Sequence, residues 1–138
     1  MNAIAAERPS RAIHPFHAAM LAGTVPLFLG TLLADYAYWS SHQIEWSNFA
    51  SWLLIGAMVF ASVALLCAVI DLARGRRALV YTLVLATVWV LGFFDALQHA
   101  RDAWAIMPTA LVLSLIVAVL ACAATWIGFS SLRAGGLK

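Results

Sequence analysis

Four long apolar runs, near Phe16–Trp39, Phe49–Leu72, Ala78–Leu97 and Pro108–Leu132, decide what this chain can fold into. A helix of about 20 apolar residues crosses roughly 30 Å of hydrocarbon, and each run reaches that length. Lipid offers no water to backbone amides and carbonyls, so each run must satisfy its own hydrogen bonds as a helix. The links between runs are short, which makes successive helices antiparallel neighbours. The expected fold is therefore all-α: an integral membrane four-helix bundle, a single domain over residues 1–138. Composition agrees, with 64% hydrophobic and 10% charged residues, against about 25% charged in a soluble domain. A net charge of +2 is too small to suggest a nucleic-acid partner.

The basic residues orient the bundle. Arg8, Arg11, Arg74, Arg76, Arg77, Arg133 and Lys138 fall on one side, and Arg101 alone on the other. The positive-inside rule then places both termini in the cytosol of a bacterial inner membrane. Trp39, Trp46 and Trp104 fall at the opposite interface, where an indole can be half wet. The first run has no signal-peptide cleavage site in a suitable place and is expected to stay. Cys67 and Cys122 show no metal or redox spacing and read as a buried pair of inert thiols.

Small residues recur at helical spacing in each of three runs. Examples are Ala19, Gly23, Gly30 and Ala34 in the first run, and Ala57, Ala61, Ala64 and Ala68 in the second. The fourth run carries Ala110, Ser114, Ala118, Ala121, Thr125 and Gly128. Such stripes let membrane helices approach closely, either within one bundle or against a second subunit. Pro26 removes the bond to the Ala22 carbonyl and predicts a kink that Thr24 could help repair.

The polar groups inside these runs are the candidates for function, because an ionisable group in lipid is costly without a partner. His14 precedes Pro15 at the start of the first helix, with His17 about one turn further in. His17, Thr24, Thr31 and Asp35 share one face by sevens and a four. Two clusters are expected by depth: an inner one of His14, His17, Asp71, Arg74 and Tyr81, and an outer one of Asp35, His42, Glu45, Asp95, His99 and Asp102. Asp71 with Arg74 also reads as an interfacial ion pair, and His42, Glu45 and Asp102 as solvated loop residues.

Three chemistries fit these residues. Haem b needs axial ligands from facing segments, and His42 with His99 is the outer histidine pair. A quinone head group needs one or two hydrogen bonds, available near His17, Asp71 and Tyr81. A divalent metal at Asp95, His99 and Asp102 is a third arrangement. No nucleophile triad, phosphate loop or dinucleotide fingerprint suggests a catalytic site.

The stretches His14-Pro15-Phe16-His17-Ala18-Ala19-Met20-Leu21, Pro26 and Leu33-Ala34-Asp35-Tyr36 carry a resemblance. So does Val69-Ile70-Asp71 before a basic turn. Together they resemble the bacterial four-span predicted membrane proteins of domain of unknown function family 2231, from about Ala12 to Leu132. The resemblance implies a four-helix membrane fold. Related domains beside periplasmic quinoprotein sugar dehydrogenases imply a redox setting. The chain departs at Leu79-Val80-Tyr81, where many members have a histidine, and at Gly128-Phe129-Ser130-Ser131-Leu132. Without that histidine an inner haem would lack a ligand. The leading expectation is a non-catalytic accessory or anchoring subunit of a respiratory membrane complex, bound to other membrane subunits or to itself. A haem b or quinone electron carrier is the second, and a small oligomeric transporter or channel using Asp35 and Asp95 the third.

Overall fold

The computed structural model describes residues 13–75 and 79–133, with side chains as far as 130. Helices α1 (Pro15–Ser41), α2 (Ile44–Ala73), α3 (Leu79–His99), α4 (Ala103–Ile106) and α5 (Thr109–Arg133) follow in order. Four of them are long and apolar enough to cross a membrane, and their outward faces meet lipid. The second helix begins at Ile44, about a turn before the position expected near Phe49, and the four-residue α4 was not anticipated.

Local chemistry sets the ends of α1. His14 caps the helix by accepting the Phe16 amide on Nδ1 at 3.2 Å, and Pro15 takes the first helical position. At the other end His42 adopts a left-handed conformation, φ 58°, and its amide closes on the Tyr38 carbonyl at 2.7 Å. Within the helix Thr24 donates to Leu21 O at 2.6 Å, so it serves the carbonyl before the one that Pro26 strips of its partner.

The interior follows one rule in all four long helices: buried side chains alternate at steps of three and four. In α1 this series is His17, Leu21, Thr24, Phe28, Thr31, Asp35 and Tyr38, with Ala34 buried beside it. In α2 they are Ser47, Ala50, Leu54, Ala57, Ala61, Ala64 and Ala68. Tyr81, Leu85, Val88, Gly92 and Asp95 continue the pattern in α3, and Ala110, Ser114, Val117, Ala121 and Ala124 in α5. That is the seven-residue repeat by which side chains of one helix seat between those of the next. Helix α1 lies against α2 and α5, and α3 lies against α2 and α5, closing a ring of four.

The stripes of small residues are largely spent on this ring. Ala57, Ala61 and Ala64 are fully buried, while large apolar side chains such as Leu33, Trp52, Val119 and Trp126 point outward. Phe28, Leu54, Val88 and Val117 fill the middle of the bundle. Cys122, expected inside, instead lies on the outer surface beside Trp126 and Phe129. Tyr38, Ile106 and Ala110 form a separate apolar cap at the α4 end.

Candidate functional site

The interior repeat places a polar side chain at each end of α1 and an apolar stretch between them. At one end His17 sits one turn into α1, 97% shielded from solvent, and its Nε2 lies 2.8 Å from the Tyr81 hydroxyl of α3. Its Nδ1 is buried without a hydrogen bond, with Asp71 Oδ2 3.8 Å away. Gly128 lets α5 close over this pair: a Cβ there would stand 2.6 Å from Leu21 Cδ2 and 3.1 Å from Tyr81 Cε2. Tyr81 stands in the stretch where the resemblance led to a histidine, and it supplies a hydroxyl rather than a ligand nitrogen. His14 and Arg74 are exposed, at the N-cap of α1 and the C-cap of α2.

The other end holds the denser cluster. Asp35 of α1 and Asp95 of α3 are both fully buried, as is Ser114 of α5 at 1% exposure. His99 Nε2 lies 2.8 Å from Asp35 Oδ1, and its Nδ1 lies 3.0 Å from the Asp95 backbone carbonyl and 3.4 Å from Asp95 Oδ1. The Ser114 hydroxyl bridges the two carboxyls, reaching Asp35 Oδ2 and, at 3.0 Å, Asp95 Oδ2. Asp95 Oδ1 itself accepts no hydrogen bond. The ion pairs that Asp35 and Asp95 make among the described residues are with His99 alone.

One donor atom from each of Asp35, Asp95 and His99 lies within 4.8 Å of the others, a spacing that suits a metal ion. Asp102, expected as the third member of such a set, is elsewhere: it caps α4 by accepting the Trp104 amide at 3.3 Å. Helix α3 stops at His99, so the face that Asp102 would have shared does not continue. Asp35 takes that place from the neighbouring helix. His42 is exposed beyond the end of α1, and Glu45 is exposed in the first turn of α2. Both ring nitrogens of His99 already face oxygen atoms of Asp35 and Asp95, so an iron ligated by His99 would have to break one of these contacts.

The two polar ends are separate. Thr24 and Thr31, between them on the α1 face, turn their hydroxyls back to Leu21 O and Leu27 O. Phe28 lies between these threonines, inside the apolar middle of the bundle.

Sequence reading missed Ser114 as a site residue. It shares a helix face with Ala110, Ala118 and Ala121 and looks like packing; its buried neighbours Asp35 and Asp95 come from two other helices. The signal available was a hydroxyl at an interior position of the repeat, level with the carboxylates.

A family model described as a predicted membrane protein, DUF2231, matches residues 13–134. No curated protein and no solved structure matches the chain. The chain belongs to the DUF2231 family.

Proposed function

We propose that this DUF2231 protein is a proton-exchanging accessory subunit of a larger respiratory assembly in the bacterial inner membrane. In this reading neighbouring helices run antiparallel, both termini lie in the cytosol, and the Asp35–His99–Asp95–Ser114 cluster faces the periplasmic half of the bilayer. The observation that carries it is the position of Ser114 between two fully buried carboxyls. A serine hydroxyl has one hydrogen, so it can donate to one carboxylate only. The second contact is favourable when that carboxyl carries a proton and donates to the serine oxygen. With the imidazole hydrogen on Nδ1, donated to the Asp95 carbonyl, a further proton belongs between His99 Nε2 and Asp35 Oδ1, which otherwise set two lone pairs face to face. The cluster with both protons is electrically neutral overall, the state that low-dielectric surroundings favour. Losing either proton leaves a buried net charge, so uptake and release must be coupled to a change at a neighbouring subunit or to access from the α4 side.

Infrared difference spectra of the purified protein across pH test this directly. The expectation is a protonated-carboxyl stretch that shifts in heavy water and changes in Asp35→Asn and Asp95→Asn. Spectra in which neither substitution alters any carboxyl band would end the proposal. The mass of the gently solubilised particle tests the subunit half: copurifying membrane proteins are expected, and a lone chain opposes it.

A second reading is favoured by His17 Nδ1, buried without a hydrogen bond 3.8 Å from Asp71 while Tyr81 engages Nε2. A buried imidazole nitrogen of this kind suits a quinone carbonyl better than haem, since Tyr81 already holds the other nitrogen. Extraction of the purified protein for bound quinone, compared with Tyr81→Phe, distinguishes this reading from the first.

A further inference from the structure

We propose that the Asp35–Asp95–His99 cluster is a binding site for one divalent transition-metal ion, of the Zn2+ or Mn2+ class, taken up in exchange for two protons. The inference rests on reading that cluster as the working part of the molecule and adds the identity of its cargo. Three features of the geometry converge on it.

The first is the donor set. Two carboxylates and one imidazole, each offering an atom within 4.8 Å of the others, form an oxygen- and nitrogen-rich set that suits Zn2+, Mn2+ and their neighbours. They come from two helices of a packed bundle, α1 and α3, with Ser114 of α5 closing the third side.

The second is the orientation of His99. Its Nδ1 points at the Asp95 backbone carbonyl at 3.0 Å. Metal-bound histidines are held in this way, the far nitrogen donating to a carbonyl so that the near one presents its lone pair. Nε2 is then the ligating nitrogen, and an ion there takes the place of the contact between Nε2 and Asp35 Oδ1, which Asp35 can follow as a second ligand.

The third is Asp95 Oδ1. It belongs to a side chain with no exposed surface and accepts no hydrogen bond; His99 Nδ1 stands 3.4 Å away, but is closer, at 3.0 Å, to the Asp95 carbonyl. A buried carboxylate oxygen without a donor costs free energy unless something positive meets it. No arginine or lysine does so among the described residues. Arg101, the basic residue nearest in sequence, spends its guanidinium on Gln98 at the exposed surface.

Charge balance links these features. With both aspartates ionised and the imidazole neutral, the cluster carries two negative charges. Two protons neutralise it, and so does one divalent ion, whereas a monovalent ion leaves one charge buried in lipid. The charged or titratable groups His42, Glu45, Arg101 and Asp102 at this end are exposed and cannot complete the balance from inside.

The test uses the full chain, purified in detergent, stripped with a chelator and titrated with Co2+ alone in weakly buffered solution. We expect one Co2+ per chain, a visible ligand-field spectrum that Zn2+ abolishes, and release of about two protons per ion. Asp35→Asn, Asp95→Asn and His99→Gln should each weaken binding at least about tenfold. The exposed His42→Ala should leave it unchanged. The wild-type proton count depends on no variant folding. Wild-type protein that folds but binds no Co2+, or binds it equally well in all three cluster variants, would overturn the metal site. If that happens while the infrared carboxyl band persists, the proton reading stands and this inference alone falls. Conversely, stoichiometric Co2+ binding without proton release keeps the metal and removes the exchange.

Discussion

Gly128 illustrates how a single missing side chain positions chemistry on the two neighbouring helices. The Tyr81 ring and the Leu21 methyl occupy the space its Cβ would need. Gly128→Ala should therefore push Tyr81 off His17 or separate α5 from α1, at a cost of about 1–3 kcal/mol, the range for overpacking a filled core. Gly56 is the control. Its Cβ would meet Leu27 at 3.7 Å, ordinary contact distance, so Gly56→Ala should be neutral or stabilising by about 0.5–1 kcal/mol. Thermal unfolding in one detergent measures both, and equal effects would refute the distinction. Residue by residue, the sequence revealed more of α1 than of its partners. The sevens that align His17 with Asp35 need only one helix, and Asp95 with His99 needs only another. That Asp35 and His99 meet, with Ser114 between the carboxyls, depends on register between helices, which no single-helix spacing encodes. His42 and Asp102 were out of reach for a related reason: each belongs to a shared face only if its helix continues, and the helices stop at Ser41 and His99.

Among the elements, the four long helices were legible because lipid allows apolar runs of that length little else, while α4 was not. Its four residues lie below the length at which periodicity is detectable. It is held by specific contacts instead. The Asp102 carboxylate caps it, Tyr38 Oη donates to Ala103 O at 3.1 Å, and Ile106 is fully buried over the end of the bundle. The element is therefore a short cover above the Asp35 cluster, fastened by one side-chain hydrogen bond from α1. Tyr38→Phe removes that bond and leaves the ring. A hydrogen bond of this kind in a membrane protein is worth about 1 kcal/mol. Hydrogen exchange at the α4 amides should accelerate by about fivefold, with exchange in the middle of α2 unchanged. Exchange at α4 that is insensitive to the substitution would mean that Ile106 burial alone holds the cover.

For the whole molecule, the decisive question is which side of the membrane α4 faces, because that fixes where the buried cluster draws its protons or ions. The proposed orientation, with α4 toward the periplasm, rests on the basic residues. In the sequence, seven of the eight Lys and Arg residues precede α1, follow α2, or close and follow α5, and under the positive-inside rule the proposed orientation keeps those ends in the cytosol. The aromatic residues Trp39, Trp46 and Trp104, all substantially exposed, gather at the α4 end and mark it as a membrane interface of either side. In the proposed orientation the Asp35–Asp95–His99 group faces the periplasmic surface and the His17–Tyr81 pair the cytosolic one. Phe28 and its apolar neighbours separate them. Such an arrangement suits exchange at one face rather than flow through a single bundle. Single cysteines placed in a background lacking Cys67 and Cys122 test the orientation. Gln43→Cys, between α1 and α2, should react with a membrane-impermeant maleimide on intact spheroplasts. Gly75→Cys, after α2, should react only once the membrane is opened. The reverse pattern would place the cluster against the cytosol, so that any ion it binds would come from the cell interior.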